Sequence, residues 1–292
     1  MARKIALVVN PTSGRGLGAR VAPVVRAELE AGGLTVDVYT TTCAEDVGRI
    51  SSEVIASGAD AVALVGGDGT IHLAAQVLAK SGMPFGVIPA GTGNDFARGI
   101  GVPLKDPKAA TALIVRGETR PVDLATAKDE YITTVVAGGF DSLVNKRANA
   151  MSWPKGNARY TLATFAELRT FTPISYVVTV DGEVLETDAM LVAVGTGPMY
   201  GGGLQICAGA GIDDGLLDVT IIKPVSRLTL LQMFPKLAKG THVGHPAVHT
   251  LRGRSVRLES ADVTAYADGE ILGPLPLDIG IAPGALTVFG QS

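Results

Sequence analysis

Apolar and polar positions alternate in blocks along the first third of the chain. Short runs rich in Val, Ile and Leu lack the strict alternation of a half-exposed strand and predict strands that are covered on both faces. Longer runs follow them with the spacing of helices. The predicted strands are 4–9, 34–39, 60–65 and 85–89, and the predicted helices are 19–31, 44–56, 71–80 and 95–99. This order predicts a layered α/β domain on a parallel sheet, in which ligands bind at the carboxyl ends of the strands.

The rest of the chain predicts a different architecture. Short β-rich segments follow one another at 131–137, 174–180, 190–195, 217–222, 255–258 and 263–267. The strongest turn signals between them are Asp181-Gly182, Asp214-Gly215 and Asp268-Gly269. This pattern predicts a mostly antiparallel β-sandwich. We therefore predict two domains, 1–125 and 126–292, and leave open whether the last strand returns to the first domain.

Composition narrows the functional classes. The 292 residues are 47% hydrophobic and 18% charged, which is typical of a well-packed enzyme. With 28 acidic and 25 basic residues the formal charge is −3, so the chain lacks the basic character expected of a nucleic-acid-binding protein. Cys43 and Cys207 are far apart in sequence and predict core residues in a reducing compartment, not a disulfide. No apolar run reaches the about 18 residues of a membrane span, so we expect a cytoplasmic protein.

Three loops rich in glycine directly follow predicted strands. They cover residues 10–18, 66–70 and 89–95 and contain hydroxyl and carboxylate side chains among the glycines. Glycines let the backbone approach a phosphate group closely, and the amide groups at the start of a helix attract anions. Each loop alone is compatible with an ordinary turn, but three at one edge of one sheet predict a phosphate-binding site. Asp68 is a candidate for holding a metal ion or its water there.

None of these loops fits the common nucleotide-binding motifs, because no Gly-Lys-Ser/Thr follows them and their glycines are not spaced as in dinucleotide-binding folds. The motifs present are Asn10-Pro-x-Ser-Gly14, Gly66-Gly-Asp-Gly-Thr70, Pro89-Ala-Gly-Thr-Gly-Asn-Asp95, Gly201-Gly-Gly203, Asp213-Asp-Gly215 and Asp268-Gly-Glu270. In this order they resemble the diacylglycerol kinase-like lipid kinase family, particularly its soluble bacterial members, over nearly the whole chain. The second motif is shared with NAD kinases and phosphofructokinases, whereas the later ones distinguish lipid kinases.

The resemblance implies a nucleotide domain like that of NAD kinases and phosphofructokinases, and an enzyme that uses ATP and Mg²⁺ to phosphorylate diacylglycerol or a similar lipid. The nucleotide contacts implied by motif are Asn10, Pro11, Thr12, Ser13, Gly14, Thr41, Gly66, Gly67, Asp68, Gly69, Thr70, Ile71, His72, Thr92 and Asn94. The implied carboxylate network for magnesium and its waters is Asp68, Asp95 and Asp123. The implied catalytic residues are Glu270, Asp268 and Asp68, with Glu270 accepting the proton of the lipid hydroxyl. A carboxylate is a weak base in water, so this role predicts that Glu270 is enclosed beside the other acids.

Each of these acidic residues also has a structural interpretation. Thr70 is better placed than Asp68 to cap the helix that follows, whereas a helix cap is a serious alternative for Asp95. A salt bridge to a nearby Arg or Lys is the alternative for Asp123. Asp-Gly is the standard hairpin turn, so a solvated turn is the alternative for 268–270.

The segment 210–216 resembles a structural magnesium site of the bacterial members. Transferred to this chain, Asp214 supplies the side-chain ligand and Gly211 and Leu216 supply carbonyl oxygens, a ligand set that suits Mg²⁺. A simple turn is the alternative. The chain departs from the family pattern in three places: His72 and Thr196 stand where Asn is common, and Ala208 stands where Pro is typical.

The expected partners are a lipid with a free hydroxyl and, transiently, a membrane surface; a homodimer is compatible with the sequence. Candidate lipid contacts lie in 140–160, which includes the single tryptophan Trp153, and in 228–237. The apolar residues of 228–237 form one helical face, which we interpret mostly as core, with Trp153 as an interfacial contact. The histidines at 242, 245 and 249 lack acidic or cysteine companions and predict a surface loop.

Two other functions are compatible with parts of the sequence. A soluble metabolite kinase of the NAD kinase type shares the loop 66–70 but leaves Asp268-Gly-Glu270 unexplained. A catalytically silent protein that binds a nucleotide or lipid is the second, and the presence of Asp68, Asp95, Asp123 and Glu270 together argues against it.

Overall fold

The computed structural model describes residues 2–140, 144, 147, 150–153, 162–163, 166, 172–261 and 263–290. Strands and helices alternate first: β1 (Lys4–Val9), α1 (Ser13–Ala31), β2 (Thr35–Thr40), α2 (Glu45–Ala56), β3 (Ala61–Gly66), α3 (Asp68–Leu78), β4 (Pro84–Pro89), α4 (Asp95–Gly99) and α5 (Pro107–Arg116). Strands then dominate: β5 (Thr119–Ala127), β6 (Glu130–Ile132), β7 (Val135–Gly139), β8 (Ile174–Val180), β9 (Glu183–Ala189), β10 (Leu191–Gly195), β11 (Leu217–Ile222), α6 (Arg227–Leu237), a 3₁₀ turn (Thr241–Gly244), β12 (Val248–Gly253), β13 (Ser255–Glu259), β14 (Thr264–Ala267), β15 (Glu270–Pro274) and β16 (Leu277–Phe289).

The first sheet begins as the predicted parallel sheet. Strands β2, β1, β3 and β4 pair in parallel in that order. All six residues of β3 are buried, while α1 packs with α5 and α2 packs with α3 against these strands. The sheet then continues through β16, β13, β8 and β9, and β5 pairs with both β16 and β6. The apolar runs therefore correctly predicted strands in a layered α/β arrangement. The predicted burial on both faces is wrong for β2, whose residues are partly buried or exposed because it is the edge strand.

The second sheet is antiparallel and has the strand order β12-β11-β10-β7-β14-β15. One face packs on the first sheet, where residues such as Tyr176 and Leu258 form a core with Val194 and Val219. The other face is covered by α6, whose buried side chains are Leu230, Met233 and Leu237. The predicted sandwich and the interpretation of 228–237 as core are both confirmed.

Three other local predictions are wrong. The predicted strand 131–137 breaks at Thr133 and Thr134, and its two parts belong to different sheets. The break occurs because the amides of these two residues donate to the carboxylate of Asp268 and not to a neighbouring strand. Cys43 is exposed and not a core residue. His242 is fully buried instead of lying in a surface loop, because its Nε2 bonds to the carbonyl oxygen of Ile206 at 3.0 Å.

A boundary between two domains at 125/126 stays a prediction. Strand β5 runs through that position without interruption. Strand β16 pairs with β13 through its first residues and with β4 through its last ones. The parallel part of the first sheet and the sandwich are therefore connected by continuous strands.

Candidate active site

The loops after β1, β2, β3 and β4 meet at one edge of the first sheet, because parallel strands have their carboxyl ends on the same side. The amide of Asn10 donates to the carbonyl of Val65 at 2.9 Å, and the amide of Ala90 donates to the carbonyl of Gly66 at 2.8 Å. Thr41 follows β2 at the same edge and is buried, with its hydroxyl donating to the carbonyl of Val9 at 3.3 Å. The structure thus brings the three glycine loops and Thr41 together.

Glycine is required where the loops touch. A Cβ atom on Gly67 would lie 2.8 Å from the Cα of Gly91, and one on Gly91 would lie 2.6 Å from the Cα of Gly67. A Cβ on Gly14, which has a φ of 56°, would overlap the carbonyl oxygen of Ala90. The three loops therefore pack backbone against backbone, which leaves an edge lined by main chain and small side chains.

Asn10 and Thr70 join the first loop to the second. The side-chain amide of Asn10 donates to the hydroxyl of Thr70 at 2.9 Å, and its Oδ1 accepts from the amide of Thr12 at 3.1 Å. The expectation that Thr70 caps α3 is wrong, since the helix begins at Asp68 and Thr70 lies buried in its first turn. Ile71 is fully buried in the core, so its side chain is out of reach of a nucleotide. Thr92 is exposed at the tip of the third loop.

Asp68 caps a neighbouring helix. Its Oδ2 accepts from the amide of Asn94 at 2.6 Å and its Oδ1 accepts from the amide of Asp95 at 2.8 Å, at the start of α4. Burial raises the pKa of Asp68 above its ordinary value, the amide donors oppose the rise, and the charge of Asp268 adds to it. Asn94 itself has a left-handed backbone conformation, with a φ of 55°, and its side chain forms hydrogen bonds with the backbone of Gly91.

Asp95 does not cap its own helix. Its Oδ2 accepts from the amide of Gly202 at 2.7 Å, in the triple-glycine segment 201–203. Its Oδ1 is buried without a hydrogen-bond partner and lies 3.9 Å from the Nε of Arg98. Burial raises the pKa of Asp95, the Gly202 amide opposes the rise, and the charge of Asp68 adds to it. The buried Asp95 and the partly buried Asp68 are therefore neighbouring acidic groups, and Arg98 supplies a nearby positive charge.

Asp123 binds backbone amides and not an Arg or Lys side chain. Its Oδ2 accepts from Gly215 and its Oδ1 accepts from Gly284, both at 2.7 Å. Asp123 and Asp95 line one small cavity of about 20 Å³, together with Thr133, Thr134 and Thr196. In the described ranges no three His, Cys, Asp or Glu side chains gather closely enough to enclose a metal ion. Asp68, Asp95 and Asp123 therefore lie in one region without forming a closed ligand cage.

The Asp268–Glu270 hairpin lies against α3. The carboxylate of Asp268 is completely buried and accepts from the amides of Thr133 and Thr134 at 2.8 and 2.9 Å and from the Thr134 hydroxyl at 2.7 Å. Its fourth contact is the Nδ1 of His72 at 2.9 Å. Asp268 is therefore not the solvated turn residue that the sequence allowed, but its oxygens are already used. Glu270 is exposed, so the predicted enclosure beside other acids is not observed.

The loop 210–216, which was expected to hold a structural magnesium ion, is contacted by a cationic side chain of β12, Arg252. The Nη2 of Arg252 contacts the carboxylate of Asp214, and the Nε of Arg252 lies 3.0 Å from Asp218. The other oxygen of Asp214 accepts from the amide of Leu216 at 3.1 Å, and its carboxylate packs against Gly211. Because the guanidinium already neutralises the one side-chain ligand, these residues do not fit a bound magnesium ion.

We expect the folded stability of the chain to depend on Arg252 and not on magnesium at this loop. Arg252→Ala should lower the unfolding free energy by about 1 kcal/mol, a small value because the ion pairs are partly exposed and screened. In differential scanning calorimetry, EDTA should change the melting temperature of Asp214→Ala by the same amount as that of the wild type, because no magnesium is bound at this loop. Arg254→Ala is the matched control for Arg252→Ala, since Arg254 is an exposed neighbour. A smaller effect of EDTA on Asp214→Ala than on the wild type would contradict this assignment.

The candidate lipid contacts are described only in part. Of the segment 140–160, residues 141–143, 145–146, 148–149 and 154–160 lie outside the described residues. Trp153 is 77% exposed, which suits a contact residue at an interface. No helix in the described part of the chain has both the length and the apolar character needed to cross a bilayer.

Sequence reasoning missed residues that act through their backbone amides. Thr133, Thr134 and Gly202 hold the carboxylates of Asp268 and Asp95. The only signal for them was the triple glycine, since the two threonines have the β-branched character of a strand. Arg252 carried no signal, because its acidic partners are 34 and more residues away in sequence.

Comparison with known proteins identifies the family. The diacylglycerol kinase catalytic domain matches residues 4–127, and the YegS C-terminal NAD kinase beta sandwich-like domain matches residues 134–290. A diacylglycerol kinase of Mycobacterium tuberculosis is 42% identical, covering 98% of this chain and 94% of the relative. A diacylglycerol kinase of Bacillus subtilis is 27% identical, covering 94% and 92%. A crystal structure of a diacylglycerol kinase from Bacillus anthracis superposes with a TM-score of 0.81 at 26% identity, covering 99% of this chain and 97% of that one. The chain therefore belongs to the diacylglycerol kinase family of lipid kinases.

Proposed function

We propose that this protein transfers the γ-phosphoryl group of ATP to the hydroxyl of diacylglycerol or a similar lipid, with magnesium. The observation that carries the proposal is the contact between Asp268 and His72. It brings the Asp-Gly-Glu hairpin of the second sheet to α3, the helix that begins within the glycine-rich segment 66–70. A phosphate-binding edge and a candidate base are thereby neighbours, as phosphoryl transfer requires.

The nucleotide would bind at the edge where the loops meet. Asn10–Gly14, Gly66–Thr70 and the backbone around Thr92 and Asn94 offer amides and hydroxyls to the phosphates, and Thr41 lies beside them. Binding by backbone suits this edge because Gly67 and Gly91 exclude side chains from it.

The acidic residues fit a hydrated magnesium ion. Asp95 has a buried oxygen without a hydrogen-bond partner, and burial raises the pKa of both Asp95 and Asp68. A cation would relieve this excess of negative charge. Asp68, Asp95 and Asp123 would hold magnesium through its waters, which agrees with the open arrangement of the three carboxylates. When bound there, magnesium would neutralise the charge that develops on the phosphoryl oxygens.

The chemistry then needs one proton acceptor. The lipid hydroxyl oxygen forms a bond to the γ-phosphorus, the bond from that phosphorus to the bridging oxygen of ADP breaks, and the hydroxyl proton passes to the carboxylate of Glu270. The exposure of Glu270 leaves room for a lipid head group to approach it, and the bound lipid would exclude water from the carboxylate. Asp268 contributes by fixing the hairpin and not by touching the substrate, since its oxygens are used within the protein.

The acceptor is proposed to be a lipid because the relatives that cover nearly the whole chain are named diacylglycerol kinase. A lipid acceptor implies transient contact with a membrane surface, for which the exposed Trp153 is a candidate. We propose a cytoplasmic enzyme that associates peripherally with the membrane during turnover.

The test is phosphoryl transfer from radiolabelled ATP. The purified protein is incubated with magnesium and, separately, with diacylglycerol, phosphatidylglycerol, a sphingoid base and NAD. We expect label in diacylglycerol or a similar lipid and none without magnesium. Label in NAD alone would favour a soluble metabolite kinase, and no label in any acceptor would favour a silent binding protein; either result would contradict the proposal.

A further inference from the structure

His72 and Asp268 form a contact that joins three parts of the structure. His72 lies on α3, one helical turn after Asp68. Asp268 opens the turn between β14 and β15, with φ angles of 50° at Asp268 and 89° at Gly269. Through the same carboxylate, Asp268 holds Thr133 and Thr134 between β6 and β7. One side chain of α3 is therefore linked to the hairpin that carries Glu270 and to the connection between the two sheets.

The hydrogen-bond chemistry assigns the ring nitrogens of His72. The ionised carboxylate of Asp268 offers only acceptor oxygens, so the Nδ1 of His72 must donate the hydrogen across the 2.9 Å contact. This leaves Nε2 as an acceptor on the neutral ring and as a donor on the protonated ring. The side chain of His72 is only 14% exposed, so the contact is shielded from competing water.

We infer that His72 is a positioning residue for phosphoryl transfer, which acts through Asp268 to hold the Glu270 hairpin against the nucleotide-binding edge. The inference rests on the proposed function and deepens it, because His72 is thereby assigned to the hairpin instead of to the nucleotide. The side chain of Asp268 is completely buried and accepts hydrogen bonds from three other donors, so it cannot turn to a new partner when His72 is removed. The loss of His72 would leave the hairpin attached to the second sheet but released from α3.

Charge makes this contact dependent on pH. The groups that favour the protonated ring are the carboxylates of Asp268, Glu130 on β6 and Glu270 on β15, while burial opposes protonation. The hydrogen bond to Asp268 is the largest influence, and the pKa of His72 is raised above its ordinary value of 6.5. Because the pKa of His72 is higher in the folded protein than in the unfolded chain, the stabilisation by its protonated ring is fully present below about pH 6.5. It is lost as the pH rises through the raised pKa of the folded protein. The hold on the hairpin should therefore weaken on the alkaline side.

Two variants test the inference with the full-length chain. His72→Ala removes the donor, and we expect kcat to fall about tenfold or more, while the KM for ATP changes by less than about threefold. His72→Asn keeps a neutral donor, and we expect its kcat to match that of the wild type on the alkaline side, where the ring of His72 is neutral as well, and to be lower than that of the wild type at acidic pH. The wild type should lose kcat as the pH rises through the pKa of His72, and His72→Asn should lack this decline. His249→Asn, an exposed histidine, is the control and should keep the wild-type profile.

A second measurement does not depend on turnover. Hydrogen exchange of the Thr133 and Thr134 amides should be faster in His72→Ala than in the wild type, and NMR titration should give His72 a pKa above 6.5. If His72→Ala does not fold, the pH profile of His72→Asn decides. A raised KM for ATP with unchanged kcat in either variant would make His72 a nucleotide contact and overturn the inference. An active wild type with equally active variants would overturn only this inference, whereas a wild type that phosphorylates no lipid would overturn the proposed function as well.

Discussion

Glu270→Gln is expected to lower kcat by about 10²- to 10⁴-fold, the usual contribution of a positioned general base. Glutamine keeps the size and the hydrogen-bonding shape of the side chain but cannot accept the hydroxyl proton. The affinity for ATP should stay within about threefold of the wild type, because Glu270 lies on β15 and not in the glycine loops. Steady-state kinetics measure kcat with the lipid that accepts label from radiolabelled ATP. Calorimetric titration measures the affinity for ATP.

The chain contains a matched control for this experiment. Asp181-Gly182-Glu183 has the same sequence as Asp268-Gly269-Glu270 and forms the same kind of turn, with φ angles of 48° at Asp181 and 90° at Gly182. Glu183 begins β9, at the end of the first sheet away from the parallel strands. Glu183→Gln should therefore leave kcat unchanged. Wild-type turnover in Glu270→Gln would remove Glu270 from the base role.

Asp68→Asn is expected to have the second largest effect. An amide presents one acceptor and one donor to the two backbone donors of Asn94 and Asp95, so one hydrogen bond to a charged acceptor is lost and the N-terminus of α4 is disturbed. Removing the charge also weakens the hold on magnesium and its waters. We expect kcat to fall by about 10²- to 10³-fold, because metal stabilisation of the transferred phosphoryl group is worth several kcal/mol. The magnesium concentration for half-maximal rate should rise, as measured by titrating initial rates.

The control for Asp68→Asn separates helix capping from metal binding. Asp106 caps its own helix α5, and one of its carboxylate oxygens accepts from the amides of Lys108 and Ala109, both at 3.0 Å. Asparagine is nearly as good a cap as aspartate, so Asp106→Asn should change the unfolding free energy by well under about 1 kcal/mol and leave magnesium dependence unaltered. If Asp68→Asn loses stability but keeps the wild-type magnesium dependence, Asp68 is a structural cap and not part of the magnesium site.

Much of the fold follows from local sequence. Strands β1, β3 and β4 are unbroken apolar runs, and their burial on both faces is what such runs predict. The glycine loops after them lie at one edge because parallel strands necessarily end on the same side. The break at Thr133 and Thr134 was not predictable, since β-branched residues favour a strand. The strand is interrupted because the amides of these residues donate to the carboxylate of Asp268, which is more than 130 residues away in sequence.

The candidate site was predictable as a set of residues but not as an arrangement. The resemblance to the lipid kinase family implied Asp68, Asp95 and Asp123 as the carboxylate network, and the sequence left a helix cap as the alternative for Asp95 and a salt bridge as the alternative for Asp123. In the structure their partners are backbone amides of other segments, such as Gly202 and Gly215. The exposure of Glu270 was likewise decided by packing, because the hairpin presents it outward from the buried Asp268.

The two Asp-Gly-Glu turns show where the sequence stops being informative. The sequence by itself determined that both segments are tight turns, because aspartate and glycine readily adopt the left-handed backbone conformation that such turns need. Only the tertiary structure decided that Asp181 binds the neighbouring strand at Arg254 and Ser255, whereas Asp268 binds His72 beside the glycine loops. The physical reason is that turn geometry depends on a few adjacent residues, while the partners of a buried carboxylate depend on how distant segments pack.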